Sequence, residues 1–169
     1  MTRGLVVDAS VALAIVRRES GSDSAAAAIR DAGILAVPEL FWLEIVNVLL
    51  RRHGLRPEVV VEAIRELDEL DLTTVQLDRP TSLLALDQAA RSGLTAYDAV
   101  YLALAEAADL DLLTLDAALA AAAGPRAVAL DRGNHYARET PAPYATPGVD
   151  WRRYGPYLAR LRTSTGGRS

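Results

Sequence analysis

Short runs of aliphatic residues recur along the chain, each followed closely by a stretch with helical spacing. That alternation constrains the fold more than any other feature. A strand that reads as a continuous apolar run is buried on both faces, the condition of a parallel sheet covered by crossover helices. Leu5-Val6-Val7-Asp8 is the first such run, and Leu35-Ala36-Val37, stopped at Pro38, is the second. Leu72 to Leu77, Leu112-Leu113-Thr114 and Ala127 to Leu130 are expected to add further strands. Between them the spacing predicts helices. One runs from Ser10, which can cap it, to Glu19, and another follows the break at Gly21, from Asp23 to Asp31. A long helix from Glu39 to His53 closes with Arg51, Arg52, His53 and then Gly54, cations followed by glycine. Pro57 opens the next, which carries Val60, Ala63, Ile64, Leu67 and Leu70 on one stripe. Pro80 to Gly93, Ala96 to Ala108 and Asp116 to Ala123 complete the set. The expectation is an α/β fold of three layers, α/β/α, around a central and mostly parallel sheet.

Composition removes many chemistries. There is no cysteine, which excludes disulfide frameworks, thiolate zinc sites and cysteine nucleophiles. All 18 basic residues are arginine. Without lysine there is no P-loop and no Schiff-base catalysis, and receiver or dehalogenase-like phosphatase chemistry loses its usual cation. Arg3 ahead of Leu5 to Val16 has the outline of a secretory leader. Asp8 interrupts it, and Arg17, Arg18 and Glu19 stand where a small-residue cleavage site would lie, so a soluble cytoplasmic protein with no membrane span is expected.

Charge is divided along the chain. Residues 1–131 hold 11 Arg against 20 acids, a balance of −9, whereas residues 132–169 hold 7 Arg against 2 acids, a balance of +5. An acidic body argues against a general phosphate-binding surface, but not against a nuclease whose acids hold cations.

In open parallel sheets the site lies beyond the carboxyl ends of the strands, where Asp8 and Asp116 fall. Glu44 shares a stripe with Leu40, Asn47 and Arg51 on an otherwise apolar helix. Asp98 follows Thr95 by three residues. Each acid also has an ordinary reading. Asp8 and Asp116 are favourable charges at helix starts, Glu44 belongs to a solvated stripe, and Asp98 completes a capping box. Taken together they are harder to dismiss, because the expected topology sends all four to one edge of the sheet. Clustered carboxylates repel unless cations neutralise them. Hard oxygen donors without cysteine suit Mg²⁺ or Mn²⁺, which activate water and bind phosphodiesters. His53 and His135 are too isolated to make a metal site, and His53 fits a helix C-terminus.

Four segments carry a resemblance. Val6-Val7-Asp8-Ala9-Ser10-Val11, Glu44-Ile45-Val46-Asn47, Thr95-Ala96-Tyr97-Asp98-Ala99-Val100-Tyr101-Leu102-Ala103-Leu104-Ala105 and Leu112-Leu113-Thr114-Leu115-Asp116 resemble, in order and spacing, the signature blocks of PIN-domain ribonucleases. They look most like VapC-type toxins of bacterial toxin–antitoxin pairs. The resemblance spans residues 4–131 and implies a metal-dependent endoribonuclease using Mg²⁺ or Mn²⁺. It also implies a homodimer and a small antitoxin as protein partner. Carried over by position, Asp8, Glu44, Asp98 and Asp116 become the metal-binding and catalytic acids, with Ser10, Asn47 and Thr114 supporting the pocket.

Residues 132–169 depart from that pattern. Pro141, Pro143, Pro147 and Gly148 punctuate a basic, partly flexible extension after the PIN-like domain of residues 1–131. Its arginines could hold RNA, brace a dimer or lie over the acidic pocket. Arg17, Arg18, Arg51, Arg52 and Arg56 are candidates for RNA backbone contacts, although helix-end cations are commonly just solvated. A catalytically silent binding or assembly module, and a DNA-directed 5′-nuclease-like enzyme, are the competing functions.

Overall fold

The computed structural model describes residues 4–130; the extension at 132–169, with His135, lies outside the described residues. Four strands form one sheet, β1 (Leu5–Val7), β2 (Leu35–Pro38), β3 (Thr73–Val75) and β4 (Asp111–Leu113), in the order β3-β2-β1-β4. Every pairing is parallel. The helices are α1 (Ala9–Arg17), α2 (Ser22–Asp31), α3 (Leu40–Asn47), α4 (Pro57–Asp68), α5 (Arg79–Ser92), α6 (Ala96–Ala107) and α7 (Ala117–Ala123).

Strand order fixes where the helices go. The chain steps from β1 to β2 to β3 in one direction and then crosses back to β4 on the far side of β1. Right-handed crossovers place α1–α4 on one face and α5–α6 on the other. The direction of winding reverses beside β1, so a crevice opens at the carboxyl ends of β1 and β4. The core follows the same logic. Val6, Val7, Val37, Leu112 and Leu113 are fully buried, and α6 buries seven consecutive residues, Ala99–Ala105, between the sheet and α5 and α7. Its alanines allow that close approach. Gly4 is needed for a similar reason, since a Cβ there would sit 2.9 Å from Leu110 Cδ2 and 3.0 Å from Ile34 Cβ.

Several boundaries differ from expectation. The fifth strand reduces to a single bridge, Ala127 beside Leu112, with Val128 N–H donating to Leu112 O at 2.9 Å. A tight 3₁₀ turn, Gly124–Arg126, uses up the approach to the sheet edge. Helix α1 ends at Arg18, which takes the left-handed conformation (φ 52°), while Gly21 serves as N-cap of α2 instead of a stop. Regular α-geometry in α3 gives way at Val48 to a π-helical turn through Arg52, which Gly54 (φ 60°) leaves. Ser10 does not cap α1; it is the second helical residue, and Asp8 occupies the cap position without a side-chain cap bond.

Candidate active site

Asp8 lies where β1 and β4 end side by side. It follows β1, is only 6% exposed, and its backbone N–H donates to Leu113 O at 3.0 Å, which pins it beside the end of β4. Its Oδ2 accepts from Thr114 Oγ1 at 2.8 Å and from the Ser10 hydroxyl. Both hydroxyls face two ways. Thr114 Oγ1 accepts from Asp116 N–H, and Ser10 Oγ accepts from Leu115 N–H, each at 3.0 Å. The turn after β4 is thereby clamped onto Asp8. Ser10, expected as a helix cap, instead bonds Asp8 and the Leu115 N–H through its hydroxyl.

Glu44 approaches from α3. Its Oε2 accepts from the hydroxyl of Tyr101, a side chain with no exposed surface. Burial pushes Glu44 up to about 7, against the Tyr101 hydrogen bond, and the charges of Asp8 and Asp98 push it further in the same direction. Burial likewise raises Asp8, opposed by Ser10 and Thr114 and reinforced by Asp98. Asp98, half-buried in the first turn of α6, receives Thr95 Oγ1 on its Oδ2 at 2.7 Å, and its N–H donates to the same hydroxyl at 3.2 Å. The capping reading of Thr95 and the site reading of Asp98 are therefore compatible.

Asp8, Glu44 and Asp98 thus converge electrostatically from three elements. Asp116 stands apart. It is exposed, its Oδ1 caps α7 by accepting from Leu119 N–H at 2.8 Å, and its link to Asp8 runs through its own amide and Thr114. Asn47 is exposed one turn beyond Glu44. The arginines are not gathered here. Arg17 pairs with Glu19 at 2.6 Å, and α1 carries it and Arg18 about 13 Å along the helix from Asp8. Arg18 instead lines a separate cleft of about 800 Å³ with Ile15, Glu19, Ser22, Asp23 and Glu66, which none of the four acids touches. Arg51 and Arg52 are exposed at the end of the π turn, and Arg56 is exposed just before α4.

Among the described residues none of the four acids has a basic partner. Nor do three acidic or histidine side chains stand close enough to enclose an ion by themselves. The donors are all oxygens, one of them deeply buried, and the charge of Asp98 raises both Asp8 and Glu44. That set fits a small hard cation such as Mg²⁺, which keeps several waters and takes one or two carboxylates plus substrate phosphate.

The PIN-domain family model matches residues 5–125, which contain all four acids. This chain is a PIN-domain protein. Among curated PIN-domain relatives, ribonuclease VapC3 of Pyrobaculum aerophilum is 36% identical over 121 residues, covering 69% of this chain and 92% of VapC3. Several solved structures share the fold. A crystal structure from Pyrobaculum aerophilum superposes with TM-score 0.56 at 29% identity, covering 76% of this chain and 90% of that one. The sarcin–ricin loop cleaving toxin VapC20 of Mycobacterium tuberculosis gives 0.59 at 16% identity, over 70% of this chain and 95% of the toxin. A toxin–antitoxin complex from Klebsiella pneumoniae gives 0.58 at 17% identity, over 75% and 97%. Within this PIN domain Tyr101 is the functional candidate that the sequence reading passed over. The available signal was a tyrosine one turn after Asp98 within the otherwise aliphatic run Ala99–Ala105, since a buried phenol must find an acceptor.

Proposed function

We propose that this PIN domain is a VapC-type toxin, an endoribonuclease of the cytoplasm that hydrolyses RNA phosphodiesters with Mg²⁺ or Mn²⁺. The observation that carries the proposal is the convergence of Asp8, Glu44 and Asp98 with no basic partner among the described residues. Asp8, Glu44 and Asp98 would hold the ion, with Asp116 acting at the outer edge. Such an ion, when bound, supplies a nucleophile at neutral pH and neutralises charge on the phosphate. Ser10 and Thr114 keep Asp8 from rotating, and Thr95 does the same for Asp98. Asn47 borders the pocket. Arg51, Arg52 and Arg56, all exposed, would be candidates to meet the RNA backbone. A small antitoxin protein is the partner expected of a VapC-type toxin.

The first test incubates the purified chain with total cellular RNA, with and without Mg²⁺ or Mn²⁺, beside Asp98→Asn. Discrete metal-dependent fragments are expected from the native chain and none from the variant. No cleavage with either ion would favour a silent binding module, and equal cleavage of DNA would favour the 5′-nuclease reading.

The homodimer is proposed through α5. Leu83 and Leu86 are 57% and 62% exposed and lie one turn apart, with Leu84 exposed beside them. Asp87 and Arg91 pair with each other next to this stripe. A two-fold contact makes one patch meet itself, so an antiparallel α5 can cover the leucines and exchange these opposite charges. Light scattering should therefore give a dimer for the native chain and a monomer for Leu83→Glu/Leu86→Glu. A native monomer at micromolar concentration would remove the dimer from the proposal.

A further inference from the structure

We infer that Tyr101 is a positioning residue for the metal site, its hydroxyl holding Glu44 against Asp8 so that both carboxylates face one ion. The inference rests on the proposed role of these acids. Three observations support it.

First, the number of donors differs between the two acids. Asp8 receives two hydroxyls, from Ser10 and Thr114, whereas the one side-chain donor recorded on Glu44 among the described residues is Tyr101. Glu44 is pressed by the charges of Asp8 and Asp98 and sits on a helix face with access to solvent. A side chain with that freedom swings toward water unless something holds it.

Second, the phenol oxygen is a junction of three elements. It donates to Glu44 on α3 and lies close to the backbone of Ala9, the residue after Asp8. It thereby measures the separation between the end of β1 and α3.

Third, the pairing is chemically unusual for a core tyrosine. Tyr101 is wholly buried, and its bond runs to a carboxylate 57 positions away in sequence. Because Tyr101 follows Asp98 by three residues, one face of α6 delivers both an acid and the residue that orients another acid.

Tyr101→Phe tests this, since it keeps the ring in the core and removes only the hydroxyl. In the full chain, Mn²⁺ affinity is measured by calorimetric titration, with metal-free melting and RNA cleavage in parallel. The expected result is Mn²⁺ binding weakened about 10–100-fold, the usual loss on removing an orienting partner of a metal ligand. Cleavage should fall in step at low Mn²⁺ and recover as Mn²⁺ is raised. In a Glu44→Gln background the same change should have little further effect on Mn²⁺ affinity, because Tyr101 acts through Glu44.

Unchanged Mn²⁺ affinity in Tyr101→Phe would overturn the inference while leaving the metal site standing. So would an equal loss in the Glu44→Gln background, which marks a general structural effect. A native chain that binds no Mn²⁺ at all would remove the metal reading itself, and the role of Tyr101 with it.

Discussion

Asp8→Asn is expected to abolish cleavage and, in the absence of metal, to make the protein more stable. Both effects come from one fact, that a carboxylate is buried beside other carboxylates with only hydroxyls and backbone for company. Burial raises Asp8 above its ordinary value, and Asp98 adds to this. The sign follows from linkage. A carboxyl whose pKa is higher folded than unfolded binds protons more tightly in the native state, so stability falls as pH rises past the unfolded value. At neutral pH the charged Asp8 is therefore a destabilising group. Asparagine keeps an oxygen for Ser10 and Thr114 and removes the charge. Stability in EDTA should rise by about 0.5–2 kcal/mol, a typical gain where function has been bought with strain. For a chain of this size each kcal/mol is worth roughly 2–4 °C in melting temperature. The difference should close as pH falls through about 4, where the native aspartate is neutral in both states. Cleavage should drop at least about 10²–10³-fold, the loss seen when one electrostatic stabiliser of a transition state is removed.

Adding Mn²⁺ should reverse the order of stabilities. An ion bound only by the folded native chain adds about 2.7 kcal/mol at a hundredfold excess over its dissociation constant, and the variant should gain little of this. Scanning fluorimetry with EDTA or Mn²⁺ at two pH values reads every part of the prediction. A variant that melts lower than the native chain in EDTA would show that Asp8 is there for the fold and not for an ion.

The parts of this architecture that were legible in the sequence are those set by local pattern. The continuous apolar runs at Leu5–Val7 and Leu112–Leu113 are strands because their residues suit burial on both faces. Pro57 starts α4, as its fixed φ and missing donor favour. Thr95 caps α6 through Asp98 N–H, as its spacing implied. What escaped the sequence depends on contacts between distant segments. Ser10 has the side chain of a cap, but Asp8 takes the cap position two residues earlier and leaves the Ser10 hydroxyl to bond Asp8 and Leu115. Arg18 adopts a left-handed conformation that glycine would have advertised three residues later. The bond from Tyr101 to Glu44 joins two helices on different faces of the sheet, a juxtaposition that no local window contains. The four acids were all named from sequence, yet their inequality was not, because exposure and capping decide it. Asp8 is buried by the sheet, while Asp116 is drawn outward by its bond to α7.

That inequality leads to the second large effect, at Asp116. Two jobs compete for its side chain, capping α7 and serving the metal site. Asparagine separates them, since it caps a helix about as well as aspartate but carries no charge. Asp116→Asn should leave the metal-free melting temperature close to native and still lower cleavage about 10–100-fold, a loss of the size found when a ligand's supporting group is removed. Asp116→Ala should lose the same activity and also about 1 kcal/mol of stability, because Leu119 N–H then has no acceptor. The activity loss should be smaller than for Asp8→Asn, in keeping with the exposed position of Asp116 and its indirect connection to Asp8 through Thr114. Cleavage assays and melting curves on both variants decide among three arrangements. If Asp116→Asn cuts RNA at the native rate, Asp116 is a cap alone and the site comprises three acids. If it is as inactive as Asp8→Asn, the metal draws Asp116 fully into its coordination, and α7 must then exchange its cap for an ion when the enzyme is loaded.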